Sequence, residues 1–335
     1  MTPKLLIIYT GGTFGMQFSR DGKQLKDFDF LQLKESIPEL NRLNVSIHTI
    51  QMAKLIDSSD MNIEYWCLLA KLIHDSYAAY DGFIILHGTD TMAYTSSILS
   101  FMLQNLSKPI VLTGALLPLG DVRNDARENL ITAIEIAIMR KKGQAMFQEV
   151  VICYNNQLIR GNRATKTDSD HFNSITSPNY PPLAEIGTKI DVKHNLLWQN
   201  KQSLKVRNKI EENIFLLKLF PSMSEKMISP LLKIPLKGLV LETFGNGNTP
   251  SFPWFYHFLE KIVDKGGTVL NISQCISGTV SQGKYQASEA LNNLGIIDGK
   301  DMTTEAAVTK LMYALANEPS NIKKTLSASI AGEMS

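Results

Sequence analysis

Residues 4–15 read KLLIIYTGGTFG. A short apolar run with β-branched members, halted by two glycines, predicts a buried strand entering a tight turn. Three more segments have the same form: DGFIILHGTDT (81–91), KPIVLTGALLP (108–118) and EVVICYNN (149–156). Helical periodicity lies between them. Over 62–77 it puts Ile63, Trp66, Leu69 or Ala70, and Ile73 on one face, with Asp60 as the expected N-cap. Over 125–140 it does the same for Leu130, Ala133, Ile134, Ala137 and Ile138. Strands alternating with helices imply an α/β fold with a mostly parallel sheet covered by helices on both faces.

Working outward, the composition shifts after Asn162. Residues 162–182 are rich in Ser, Asn, Thr and Pro and read as a long loop. The stretch 191–213 carries little pattern. A smaller α/β unit follows, with strands in LKGLVLETFG (236–245) and GGTVLNISQC (266–275), and helices near 252–264, 287–293 and 304–318. The expected division is a larger N-terminal domain over 1–190, a linker over 191–212 and a C-terminal domain over 213–335. Trp254, Phe255, Tyr256 and Phe258 are expected in a core.

The 335 residues suit two domains, and a 44% hydrophobic fraction fills a sizeable core. Formal net charge is +2, from 34 basic and 32 acidic residues. The basic run 201–209 reads as a solvated loop, and nothing else suggests a nucleic-acid footprint. Cys67, Cys153 and Cys275 are widely spaced and form no C-x-x-C, which argues against a disulfide framework or a zinc site. The apolar start is too short for a signal peptide, and no run reaches the ~20 residues of a membrane helix. A reducing, cytoplasmic setting is the expectation.

Both YTGGTFG and LHGTDT end strands, and ligand crevices in open α/β sheets lie beyond the strands' carboxyl ends. Each joins glycines, which permit close backbone approach, to a hydroxyl; the second adds the carboxylate of Asp90. TGGTFG matches neither G-x-G-x-x-G nor a P-loop, so nucleotide binding is poorly supported. The six histidines form no H-E-x-x-H, and His87, beside Gly88, reads more readily as a buried structural donor than as a catalyst. No G-x-S-x-G elbow is present. Threonine, lysine and aspartate remain. Threonine needs an adjacent base, which a lysine supplies where burial and neighbours lower its pKa. Lys166 in RGNRATK is the candidate base. Read alone, Thr13 fits a turn or cap residue as well as a nucleophile.

YTGGTFGM (9–16), DSSDM (57–61), DGFIILHGTDTMAYT (81–95), RGNRATK (160–166), SPNYPP (177–182) and QCISGTV (274–280) together resemble the bacterial L-asparaginases of the threonine-nucleophile type, most of all the cytoplasmic type I branch. The resemblance spans about four-fifths of the chain, with the segments in the family's order. It implies hydrolysis of L-asparagine to L-aspartate and ammonia through a β-aspartyl ester on Thr13. Thr89 would relay protons or act as a second nucleophile. Asp90 and Lys166 would complete a relay with it, and Asp90 would also bind the substrate's α-ammonium. Ser58 would hold the α-carboxylate, with Asp57 and Ser59 as the pocket wall. No metal or organic cofactor is implied. The partners implied are the substrate and further copies of the chain, as a homodimer or homotetramer, with no nucleic acid and no membrane. Glutamine as a side substrate stays open, since one methylene is worth only ~1–3 kcal/mol of discrimination.

Two departures stand out. The family's mobile-loop tyrosine is missing from FSRDGKQLKD (18–27), where Lys23 falls at about its position. Some type I relatives also bind asparagine at an effector site, which maps to Thr165, Glu242, Asn248 and Cys275. In GLVLETFGNGN (238–248), Glu242 stands where an arginine would hold the effector's carboxylate. Cys275 then reads as a small buried residue. Two competing readings share the fold. One is the amidase subunit of a tRNA-dependent amidotransferase, which would carry a preceding domain that a chain starting its first strand at Lys4 is not expected to have. The other is a catalytically weak amino acid sensor. A carboxylate at position 242 would repel an effector carboxylate. Ammonia release should therefore rise hyperbolically with asparagine concentration; a Hill coefficient well above one would contradict this.

Overall fold

In the computed structural model, which describes residues 2–18, 25–27, 37–200, 202–282 and 286–335, the opening apolar run is strand β1 (Lys4–Tyr9). Every residue of it after Lys4 is buried, as a central parallel strand with both faces covered requires. It is flanked by β2 (Ser46–Gln51) and β3 (Gly82–Leu86), both parallel to it. Strands β4 (Ile110–Thr113) and β5 (Val150–Tyr154) continue the parallel array beyond β3. Three antiparallel strands extend the sheet beyond β5: β6 (Gln157–Arg160), then β9 (Ala184–Ile186), then β10 (Ile190–Val192). A separate two-stranded hairpin is formed by β7 (Thr165–Lys166) and β8 (Ile175–Thr176). The parallel part thus runs 2-1-3-4-5 and the strand order reverses between β1 and β3. Loops diverge at such a switch point and leave a crevice there.

Helix α1 (Ile63–Ser76) buries Trp66, Leu69, Ala70 and Ile73, the face its periodicity marks. Its N-cap is Asn62, whose side chain accepts from the amides of Glu64 and Tyr65 at 3.0 and 3.3 Å; the expected cap, Asp60, ends a preceding one-turn helix. Helix α2 (Met92–Met102) is buried nearly all round, and α3 (Ala126–Ile138) buries Leu130, Ala133, Ile134 and Ala137.

The chain divides into two units between Asn208 and Lys209. Most of the stretch expected as a linker, 191–212, is held by the first unit. Trp198 N donates to Glu149 at 2.9 Å, the Asn200 amide to Leu106 and Gln148 carbonyls, and Val206 pairs with Leu103. These partners lie far off in sequence, so local pattern carries no trace of them. The second unit has a parallel sheet of β11 (Ile214–Lys218), β12 (Gly238–Thr243), β13 (Thr268–Ser273) and β14 (Ile297–Asp298) in that order. Helix α4 (Pro253–Asp264) packs Phe255 and Phe258 into its core, with Trp254 and Tyr256 half-buried against it.

Within this unit the fully buried Lys310, on α5 (Thr304–Asn317), pairs with the fully buried Glu333 at 2.6 Å. The Lys310 amine also donates to the carbonyls of Leu326 and Ala328, and Glu333 accepts from the amides of Ile330 and Ala331. Removing one member of a buried pair strands the other's charge. Glu333→Ala should therefore lower stability by about 3–5 kcal/mol in urea denaturation, and Lys310→Met combined with Glu333→Leu should recover most of it.

Candidate active site

Two turns meet at the switch point. After β1, Gly11 and Gly12 take φ of +119° and +85°, a region that disfavours side chains, and lead into a single 3-10 turn, Thr13–Gly15. After β3, His87-Gly88 leads through Thr89 and Asp90 into α2. The turns touch through backbone: a Cβ on Gly12 would lie 2.8 Å from both N and Cα of Gly88, and one on Gly88 would lie 2.5 Å from Ser58 Oγ. No side chain fits at either glycine, and this brings the turn carrying Thr13 against the turn carrying Thr89. Thr13 is half-buried and Thr89 buried.

Ser58 comes from the loop after β2. It is buried, and its carbonyl accepts from Thr91 Oγ1 at 2.6 Å. Asp57 accepts from the backbone amide and the hydroxyl of Ser59, both at 2.8 Å, and so caps the one-turn helix Ser58–Asp60. These bonds hold the Asp57 carboxyl below its usual range, the Ser59 amide contributing most. Asp57 and Ser59 are exposed.

Lys166 reaches the same turns from hairpin β7–β8. Its half-buried amine donates to Thr89 Oγ1 at 3.0 Å and pairs with the exposed carboxylate of Asp90. The 3-10 turn Gly161–Arg163 that leads into this hairpin is tied to α2 through Ser96 Oγ, which donates to the Gly161 carbonyl at 2.7 Å. Thr89, Asp90 and Lys166 thus form one hydrogen-bonded group beside Ser58 and the Gly12–Gly88 contact.

His87 is fully buried. Its Nδ1–H donates to the Gly88 carbonyl at 2.7 Å, so its neutral Nε2 accepts from Thr95 Oγ1 at 2.9 Å; that hydroxyl in turn accepts from Trp66 Nε1 at 3.0 Å. The imidazole is a structural donor bracing the turn. Thr91, Thr95 and Ser96 were not singled out in sequence. Their one signal was hydroxyls on an otherwise apolar helix, which polar partners must satisfy.

In the second unit, Glu242 is buried, accepts from Thr304 Oγ1 at 2.5 Å and pairs with Lys218 at 3.3 Å. Asn248 pairs its backbone with Phe244. Cys275 is exposed, against the buried position expected, because it lies beyond the end of β13 with its amide turned back to Ser273 Oγ. Thr165 lies in the first unit, on β7. Lys23 lies outside the described residues. Among the described residues, no group of three or more His, Cys, Asp or Glu could hold a metal ion.

The family model for the N-terminal asparaginase domain matches residues 4–198, and that for the glutaminase/asparaginase C-terminal domain matches 213–325. The chain belongs to the asparaginase family. Escherichia coli L-asparaginase 1 is 39% identical to it, over 98% of this chain and 97% of that protein. The crystal structure of L-asparaginase I from Vibrio cholerae superposes with a TM-score of 0.90 at 36% identity, covering all of both chains. The probable cytoplasmic L-asparaginase of Campylobacter jejuni does so with a TM-score of 0.79 at 25% identity, covering 98% of this chain and 100% of that one. With near end-to-end asparaginase relatives, neither the amidotransferase subunit nor the sensor is favoured.

Burial pushes the His87 imidazole of this asparaginase-family chain from 6.5 down to about 4, partly offset by its bond to Gly88. A folded-state pKa below the unfolded one means that, as pH falls from 6.5 towards 4, the unfolded chain takes up a proton the folded chain refuses. Stability attributable to His87 is intact above 6.5 and falls by about 3 kcal/mol across that window. Denaturation at pH 7 and pH 4 should show this component in the wild type and lack it in His87→Asn; equal pH dependence in both would refute it.

Proposed function

We propose that the chain hydrolyses L-asparagine to L-aspartate and ammonia, with Thr13 as the nucleophile. The observation that carries the reading is the Lys166 amine bonded to both Thr89 and Asp90, on the turn whose Gly88 abuts Gly12. In the first half-reaction Thr13 Oγ attacks the side-chain amide carbon. The C–N bond breaks, the hydroxyl proton travels through the Thr89–Lys166 pair to the departing nitrogen, and ammonia leaves behind a β-aspartyl ester. In the second, water occupies the ammonia's place and attacks the ester carbon, giving a proton to the same pair; the carbon–Oγ bond breaks, the proton returns to Thr13 Oγ and aspartate leaves. Amides of the glycine-flanked turns supply donors for the tetrahedral oxyanion.

Recognition follows from charge. The Asp90 carboxylate takes the substrate's α-ammonium, and Ser58 donates to its α-carboxylate within a wall formed by Asp57 and Ser59. Glu242, a carboxylate where an arginine would hold an effector's carboxylate, supports weak or absent activation by asparagine. Two domains, the second over 213–335 and the first carried past 190 by the residues fastened to it, a cytoplasmic setting and assembly into a homodimer or homotetramer belong to the same proposal. Among the described residues no helix is long and apolar enough to cross a membrane.

Ammonia release from asparagine and glutamine, measured side by side, tests the substrate. Thr13→Ala should lower kcat on the order of 10⁴-fold or more, and Lys166→Met by ~10²–10⁴-fold, with both variants folded. Ammonia release by folded Thr13→Ala at the wild-type rate would end the nucleophile assignment. A single-chain mass by light scattering on the same sample would end the oligomer assignment.

A further inference from the structure

Tyr9 ends β1 with its side chain fully buried. Its hydroxyl donates to the carbonyl of Gly12 at 3.2 Å, so the phenol turns back on the loop that follows its own strand. Gly15 closes over the same ring: a Cβ there would lie 2.2 Å from the Tyr9 hydroxyl oxygen and 2.3 Å from Cζ. The turn Gly11–Gly15 is therefore wrapped around one phenol, which bonds the residue before Thr13 and packs against the residue two after it. The main chain of Tyr9 is held independently, its carbonyl accepting from Met52 N at 3.0 Å within the sheet.

We propose that Tyr9 is a positioning residue for the nucleophile, its phenol fixing the Gly12 peptide and so the direction of Thr13. This rests on the assignment of Thr13 as nucleophile. Glycines with positive φ give this turn many accessible conformations, and the packing of Gly11 on the Ile56 peptide and the crossing at Gly88 restrain the side of it that precedes Thr13. The phenol supplies the restraint on the other side. Its proton is engaged by a carbonyl, so Tyr9 acts by placement and not by proton transfer. An attacking oxygen must be aligned to within a fraction of an ångström, which makes catalysis more sensitive to loss of this bond than folding or substrate binding is. A purely structural aromatic would affect the melting temperature and leave kinetic constants alone.

Tyr9→Phe deletes one oxygen and keeps the ring. Gly15→Ala disturbs the same contact from the loop side while keeping the hydroxyl. Steady-state kinetics with asparagine, run well below each melting transition, should show kcat lowered on the order of tenfold in both variants with KM within about twofold of wild type. Unchanged kcat in both overturns the inference. A rise in KM at constant kcat also overturns it, by assigning the contact to substrate binding. Loss of folding on removal of the single oxygen overturns it too, by making Tyr9 a stability residue. Thr13→Ala, assayed in parallel, separates the two claims. An active Thr13→Ala defeats the nucleophile assignment itself, whereas an inactive Thr13→Ala beside a normal Tyr9→Phe defeats only the role given to Tyr9.

Discussion

The contact between the Gly12 and Gly88 backbones is the constraint on which the site depends. The turns can approach this closely because Gly12 has no Cβ to meet the Gly88 backbone, and Gly88 has none to meet Ser58. The switch in strand order between β1 and β3 provides the opening, and the glycines let both turns enter it. The residue after each glycine is a threonine, so the contact sets Thr13 and Thr89 on adjoining turns from strands separated by more than seventy residues.

Around that contact the structure spends most of its polar bonds on holding backbone in place. His87 grips the Gly88 carbonyl, Tyr9 the Gly12 carbonyl, Thr91 the Ser58 carbonyl and Ser96 the Gly161 carbonyl. Buried hydroxyls and ring N–H groups need partners, and here the partners include the peptides that precede Thr13 and Thr89. Lys166 differs. It stands on a short hairpin outside the main sheet and reaches in to join Thr89 and Asp90. A small excursion of that hairpin would break the group without disturbing the sheet, and the turn leading into it is the part tied to the buried helix α2.

The sequence by itself determined four parallel strands, helices α1 and α3 and the two glycine-hydroxyl turns, because burial on both faces of a parallel strand writes an unbroken apolar run; helix α2, buried nearly all round, has no amphipathic period to mark it. The same logic explains its silences. Strands β2, β9 and β10 are partly exposed and β6 is a four-residue strand with polar ends, so no such run marks them. β11 and β14 likewise went unread. Trp198, Asn200 and Val206 are fastened to Glu149, Leu106 and Leu103, distant in sequence and invisible in a local window. Only the tertiary structure decided which groups meet. It decided that Lys166 touches Thr89 and Asp90, that His87 is a buried donor, that Cys275 faces solvent and that Glu242 is engaged within its own unit. Pattern along a chain records how deeply each residue is buried; which partner it finds there is set by strand order and loop path, and these are fixed only when the whole sheet assembles.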